Sequence, residues 1–74
     1  MNDDVFYEYR DKLASLTRIR KAVFEDGNIE KVIEIEEEME HILTMMKIAA
    51  DDRRSMILVD MLIDMFLKDR IVDK

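Results

Sequence analysis

The near absence of helix-breaking residues constrains this chain more than any other feature. Its 74 residues contain no proline and a single glycine, Gly27. These two residue types are the least favourable in a helix interior, and most tight turns depend on them. Apolar residues make up 49% of the chain and charged residues 41%, which suits a globular protein with a well-solvated surface. We therefore predict an all-α protein that forms one helical domain over residues 1–74.

The clearest turn signal is EDGN at residues 25–28. Gly27 is suited to the positive φ of the position that follows a helix, and the Asn28 side chain is suited to capping the next helix. We predict a first helix from residue 3 or 4 to about 24, and a second from 29 to about 49. Apolar residues recur at helical spacing in both segments, which indicates a helical hairpin.

A second turn is predicted at DDRR, residues 51–54. Four consecutive charged residues place polar groups all round one helical turn, which interrupts any apolar face. We predict a break here, with Asp51 or Asp52 capping a third helix over about residues 53–70. The alternative is one continuous helix over about residues 29–68, because neither Gly nor Pro forbids it.

The predicted third helix is apolar almost all round. Three of its polar positions, Asp60, Asp64 and Lys68, form one stripe. Such a helix must be buried on most sides, and two short neighbouring helices do not cover it. A second copy of the chain is the simplest cover. We therefore predict a short antiparallel three-helix unit that dimerises into a helical bundle. The expected dimer interface consists of Met56, Val59, Leu62, Ile63 and Phe66.

Charge and cysteine content narrow the possible functions. The net charge is −6 and cysteine is absent. Without thiols there is no disulfide, thiolate zinc site or cysteine nucleophile, which fits a reducing compartment, and we expect a cytoplasmic protein. The acidic balance opposes general binding to nucleic acid or anionic membranes, because both need basic surface. The N-terminal MNDDVFYEYR lacks the pattern of a secretory signal, and the longest apolar run, residues 56–59, is too short for a membrane span.

A glutamate-rich segment, IEIEEEMEHIL at residues 33–43, contains the only histidine, His41. Glu38 and His41 form E-x-x-H, a spacing at which two side chains on one helix face bind a shared metal. EEEMEH resembles the ligand segment of ferritin-like and rubrerythrin-like di-iron proteins, which implies a carboxylate metal protein as one alternative. On a helical wheel His41 lies nearly opposite Met39 and Leu43. We therefore predict that Glu38 and His41 are surface residues without a structural metal.

A second pattern links this segment to the third helix. Glu36-Glu37-x-x-Glu40 is followed by VDMLIDMF at residues 59–66. Together they resemble the all-α nucleotide pyrophosphohydrolases of the MazG type. That resemblance implies Mg2+ held against a nucleotide triphosphate by E-E-x-x-E and a later E-x-x-D, with Asp60 as the final Asp.

This sequence departs from the MazG pattern at one ligand, because Ile57 stands where the family has the Glu of E-x-x-D. Clustered carboxylates on adjacent helices nevertheless offer the oxygen ligands that Mg2+ prefers. If the second and third helices turn back near residue 51, Glu40 and Asp64 fall at one level. The alternative metal site, with Mg2+ as cofactor, is Glu36, Glu40, Asp60 and Asp64.

One of these glutamates also has a purely structural interpretation. If the first two helices turn back near Gly27, Arg20 and Glu36 fall at one level, each within the apolar sector of its helix. An Arg20–Glu36 ion pair needs neither metal nor catalysis, and it sets the register of the helices more than it adds stability.

A third resemblance points towards protein–protein contact. EKVIE at residues 30–34 and AADDR at 49–53 resemble pieces of the Hha family, small helical proteins that modify nucleoid-associated regulators. Asp52 stands where that family has His. From these patterns we expect a small acidic interaction module, such as a regulator, inhibitor or assembly chaperone, that acts as a homodimer. Its partner besides itself would be another protein with a basic or apolar groove, and we expect no cofactor.

Overall fold

Three helices account for nearly all of the chain that the computed structural model describes, residues 3–70. They are α1 (Asp3–Glu25), α2 (Ile29–Ala49) and α3 (Arg53–Asp69). The described residues contain no strand. The prediction of an all-α protein with three helices is therefore confirmed, and α2 and α3 are separate helices.

The turn between α1 and α2 is fixed by backbone hydrogen bonds around Gly27. Its φ is 81°, a left-handed conformation that glycine adopts without steric cost. The Gly27 amide donates to the Phe24 carbonyl at 2.9 Å, and the Asn28 amide donates to the Val23 carbonyl at 3.2 Å. This pair of bonds is the Schellman arrangement that satisfies the last carbonyls of a helix. Asn28 then caps α2 by accepting from the Lys31 amide at 3.2 Å.

The break between α2 and α3 is real, so the alternative of one continuous helix is wrong. Ala50 and Asp52 both have extended backbone conformations. The Asp52 carboxylate accepts from the Ser55 amide at 2.7 Å, which satisfies one of the free donors at the start of α3. Hydrogen bonds from the Ser55 amide and then the Ser55 hydroxyl hold the pKa of the Asp52 carboxyl below the ordinary value of an aspartate.

The core lies where α2 packs between the other two helices. Arg20 near the end of α1 contacts Glu36 in the first half of α2, so these helices run antiparallel. Arg70, just after α3, also approaches Glu36, so α3 turns back along α2. No Cα of α1 comes within 8 Å of a Cα of α3. The buried apolar residues are Phe6, Leu13, Val32, Ile35, Met39, Ile42, Leu43, Met46, Val59 and Phe66.

None of the three helices is a candidate for a membrane span. Within residues 3–70, no helix combines the length and apolar character needed to cross a bilayer.

Candidate interaction surface

A buried ion network joins the three helices. Arg20 Nη1 lies 3.3 Å from Glu36 Oε2, and both residues are buried, with Glu36 only 1% exposed. The structure thus brings together the two residues that the helix register pairs in the sequence. The two charges neutralise each other where neither is hydrated. Because Arg20 without Glu36 would be a buried uncompensated charge, the pair fixes the level at which α1 packs on α2.

Arg70 is a member of this network that the sequence analysis missed. Its Nε lies 4.0 Å from Glu36 Oε1, and its Nη2 lies 3.6 Å from Glu40 Oε2. Its guanidinium also sits over the Phe66 ring, 5.6 Å from the ring centroid, a favourable cation–π position. The available signal was its spacing, because Arg70 follows Phe66 by four residues and so lies on the same side of α3.

The four carboxylates of the alternative metal site are dispersed. Glu36 faces Arg20 and Arg70, Glu40 faces Arg70, and the exposed Asp64 pairs with Lys68 at 3.1 Å. Asp60 is exposed on α3. Among residues 3–70 no three His, Cys, Asp or Glu side chains are grouped closely enough to hold a metal ion.

The E-x-x-H pair lies at the surface, as the helical wheel predicts. Glu38 and His41 are both exposed. His41 lines a shallow cleft on the outer side of α2 together with Glu37, Glu40 and Thr44. The Thr44 hydroxyl donates to the Glu40 carbonyl at 3.0 Å, an internal contact of the helix. This face of α2 is acidic and solvated.

The strongest candidate for an interaction surface is the outer face of α3. We define this face by its large exposed apolar side chains. Each of them is between 37% and 57% exposed. Apolar side chains left in water at this extent are costly and mark candidate interaction sites. By helical spacing, Met56 and Leu67 lie across the polar stripe of α3 from Leu58, Met61 and Met65. The residues are Met56, Ile57, Leu58, Met61, Met65 and Leu67.

The interface predicted from the sequence needs correction at this surface. Val59 and Phe66 are 0% and 6% exposed, because they are the two α3 side chains that fill the core against α2. Leu62 and Ile63 are half-buried and pack against that core. Of the predicted set only Met56 is exposed. A second copy would therefore contact mainly other residues of α3.

A groove between α1 and α3 adjoins the outer face of α3. It exists because both helices pack on α2 without approaching each other. Its floor is Met39 of α2, and its walls include Leu13 and Thr17 of α1 with Leu62 and Met65 of α3. The groove continues past the end of α3 towards Phe24. An open groove of this kind is where a further helix packs in a helical bundle.

Comparison with known proteins found no matching family model, no matching curated protein and no matching solved structure.

Proposed function

We propose that this chain is a small acidic interaction module that works as a homodimer, with the outer face of α3 as the contact between the two copies. The observation that carries the proposal is the exposure of six large apolar side chains on one 17-residue helix. Three of the six are methionines, a residue enriched in protein–protein interfaces.

The exposed apolar side chains support a second copy as the cover. Six large apolar side chains of α3 are between 37% and 57% exposed in the single chain. Covering them with the same helix of a second copy provides the driving force that a small core lacks.

A dimer joined through α3 leaves the acidic side of α2 free for another protein. Glu34, Glu37 and Glu38 are exposed there. Clustered negative charge steers the approach of a partner with a basic surface and opposes binding to other acidic proteins. We therefore propose action as a regulator, inhibitor or assembly chaperone. The absence of cysteine fits the reducing cytoplasm, where we expect this protein to work.

Sedimentation across nanomolar to high micromolar concentration tests the dimer. We expect a monomer–dimer equilibrium, together with a thermal midpoint that rises with concentration. Met61→Asp should shift the equilibrium to monomer while the helix content stays unchanged, because Met61 is exposed in the single chain. Ile48→Asp is the matched control, since Ile48 is a large exposed residue outside α3, and it should dimerise like the wild type. A wild-type chain that stays monomeric throughout this range contradicts the proposal.

A further inference from the structure

One line of side chains along α3 has the same spacing when it is followed from either end. Two copies of this line can therefore pair with each other when the helices run antiparallel. The spacings between successive members are four, three, one, three and four residues. Spacings of three and four place side chains on one side of a helix. The set begins with a cation, ends with an anion and is apolar between them. We call it the α3 seam: Arg54, Leu58, Met61, Leu62, Met65 and Asp69.

We infer that two copies pair their α3 seams antiparallel about a two-fold axis between Met61 and Leu62. This inference rests on the proposed homodimer and specifies its register. Leu58 then lies opposite Met65 of the second copy. Arg54 lies opposite Asp69 of the second copy, and symmetry repeats each contact.

Exposure in the single chain leaves this side of α3 available for the contact. Leu58, Met61 and Met65 belong to its outer face, and Leu62 is half-buried at its edge. Leu62, Met65 and Asp69 also line the groove beside α1. A second α3 laid along the seam therefore covers the rim of that groove as well as the exposed side chains.

The charges at the two ends of α3 favour an antiparallel arrangement. Arg54 lies in the first turn, at the positive end of the helix dipole, and Asp69 is the last helical residue, at the negative end. Each charge is unfavourable for the dipole of its own helix. In an antiparallel pair, Arg54 meets the negative end of the neighbouring helix and Asp69 meets the positive end. A parallel pair would instead place Arg54 beside Arg54 and Asp69 beside Asp69.

Charge reversal tests the register directly. Arg54→Glu and Asp69→Arg each place like charges across the interface, so each should raise the dimer Kd at least about tenfold. The double variant, Arg54→Glu with Asp69→Arg, exchanges the two charges and should restore the Kd to within about threefold of the wild type. Arg53→Glu is the matched control, because it makes the same charge change one residue away, on the polar side of α3 with Asp60 and Asp64. It should leave the Kd nearly unchanged.

A crosslinking measurement keeps the inference testable if a charge variant folds poorly. The chain contains no cysteine, so Met61→Cys introduces one thiol per copy close to the proposed axis. A short bismaleimide should join two such chains rapidly. Leu67→Cys, which lies across the polar stripe of α3 from the seam, should react slowly.

The outcomes separate this inference from the proposed function. A wild-type monomer would overturn both. A wild-type dimer in which the double charge variant is no better than the single variants, or in which Leu67→Cys crosslinks faster than Met61→Cys, would overturn the register alone. A dimer unaffected by either charge reversal would likewise place the contact on another face.

Discussion

α2 and α3 handle apolar side chains in opposite ways. α2 buries seven of its 21 residues, including the charged Glu36. α3 buries only Val59 and Phe66 out of 17, although it is apolar almost all round. The difference teaches that the number of neighbouring helices, and not the hydropathy of a helix, decides how much of it is buried. α2 has a helix on two sides, whereas α3 packs only along one.

The largest effect expected in this comparison comes from breaking the ion network of the hairpin. Glu36→Leu should lower the free energy of unfolding by about 3–5 kcal/mol, because Arg20 would stay buried without its partner. Arg20→Met should cost less, since Glu36 retains Arg70 at 4.0 Å. The double variant should cost less than either single change, because no buried charge of the pair remains. Urea denaturation of the four proteins gives the coupling energy.

Glu38→Leu is the control for this cycle, because Glu38 is exposed on the same helix. It should change the free energy of unfolding by no more than about 0.5 kcal/mol. A cycle in which the effects of Arg20→Met and Glu36→Leu simply add would show that the two side chains are energetically independent despite their contact.

One substitution made in both regions sharpens the comparison further. Met46 in α2 is 0% exposed and Met61 in α3 is 57% exposed. Met46→Ala should cost about 2–5 kcal/mol, because it leaves a cavity in the core. Met61→Ala should change the stability of the monomer by no more than about 0.5 kcal/mol. The measurement is urea denaturation at a protein concentration where sedimentation shows monomer. Equal costs at the two positions would mean that α3 is packed as tightly as α2.

The fold was largely predictable because local signals determine it. EDGN and DDRR, the two segments where glycine or side-chain hydrogen bonding is predicted to interrupt a helix, include the residues that separate the three helices. The cap residues Asn28 and Asp52 accept the bonds that their positions predict. Helix ends follow from such contacts within a few residues of the chain, and no long-range information is needed.

The interaction surface on α3 was less predictable than the fold, because it depends on how the helices pack against one another. The sequence identifies α3 as having too much apolar surface, but not which side of it faces α2. Val59 and Phe66 were assigned to a second copy and instead fill the core of one chain. On a helical wheel Arg70 lies on the same side of α3 as Phe66. A charged residue on the apolar side of a helix indicates a buried partner. That signal was present in the sequence and points to Glu36.

A smaller effect is expected at the turn that closes the hairpin. Gly27→Ala should lower the free energy of unfolding by about 1–2 kcal/mol, because the left-handed conformation crowds a Cβ against its own backbone. No atom beyond the two neighbouring residues would meet that Cβ within 4 Å, so the cost comes from the local backbone conformation. Gly27→Asn is the matched control and should lose less, since Asn tolerates this conformation. Equal losses for Ala and Asn in thermal unfolding would contradict this explanation.

The smallest expected effect is a difference in pH dependence between the residues that cap α2 and α3. The cap of α2 is Asn28, whose side chain does not titrate, whereas the cap of α3 is Asp52, whose side chain does titrate. The pKa of Asp52 is lower in the folded chain than the ordinary value of an aspartate, so its contribution to stability is fully present above that ordinary value. The contribution is lost as the pH falls through the lower folded-state pKa. Asp52→Asn keeps a capping oxygen without the charge, and the other carboxyls titrate in both proteins. The stability of the wild type relative to Asp52→Asn should therefore be constant near neutrality and decline in acid.

In the wild type, hydrogen-exchange protection of the Ser55 amide should fall in the same pH range. Protection of the Lys31 amide, which Asn28 caps, should fall less. A wild-type advantage that does not change with pH would show that the carboxylate charge adds nothing to the start of α3.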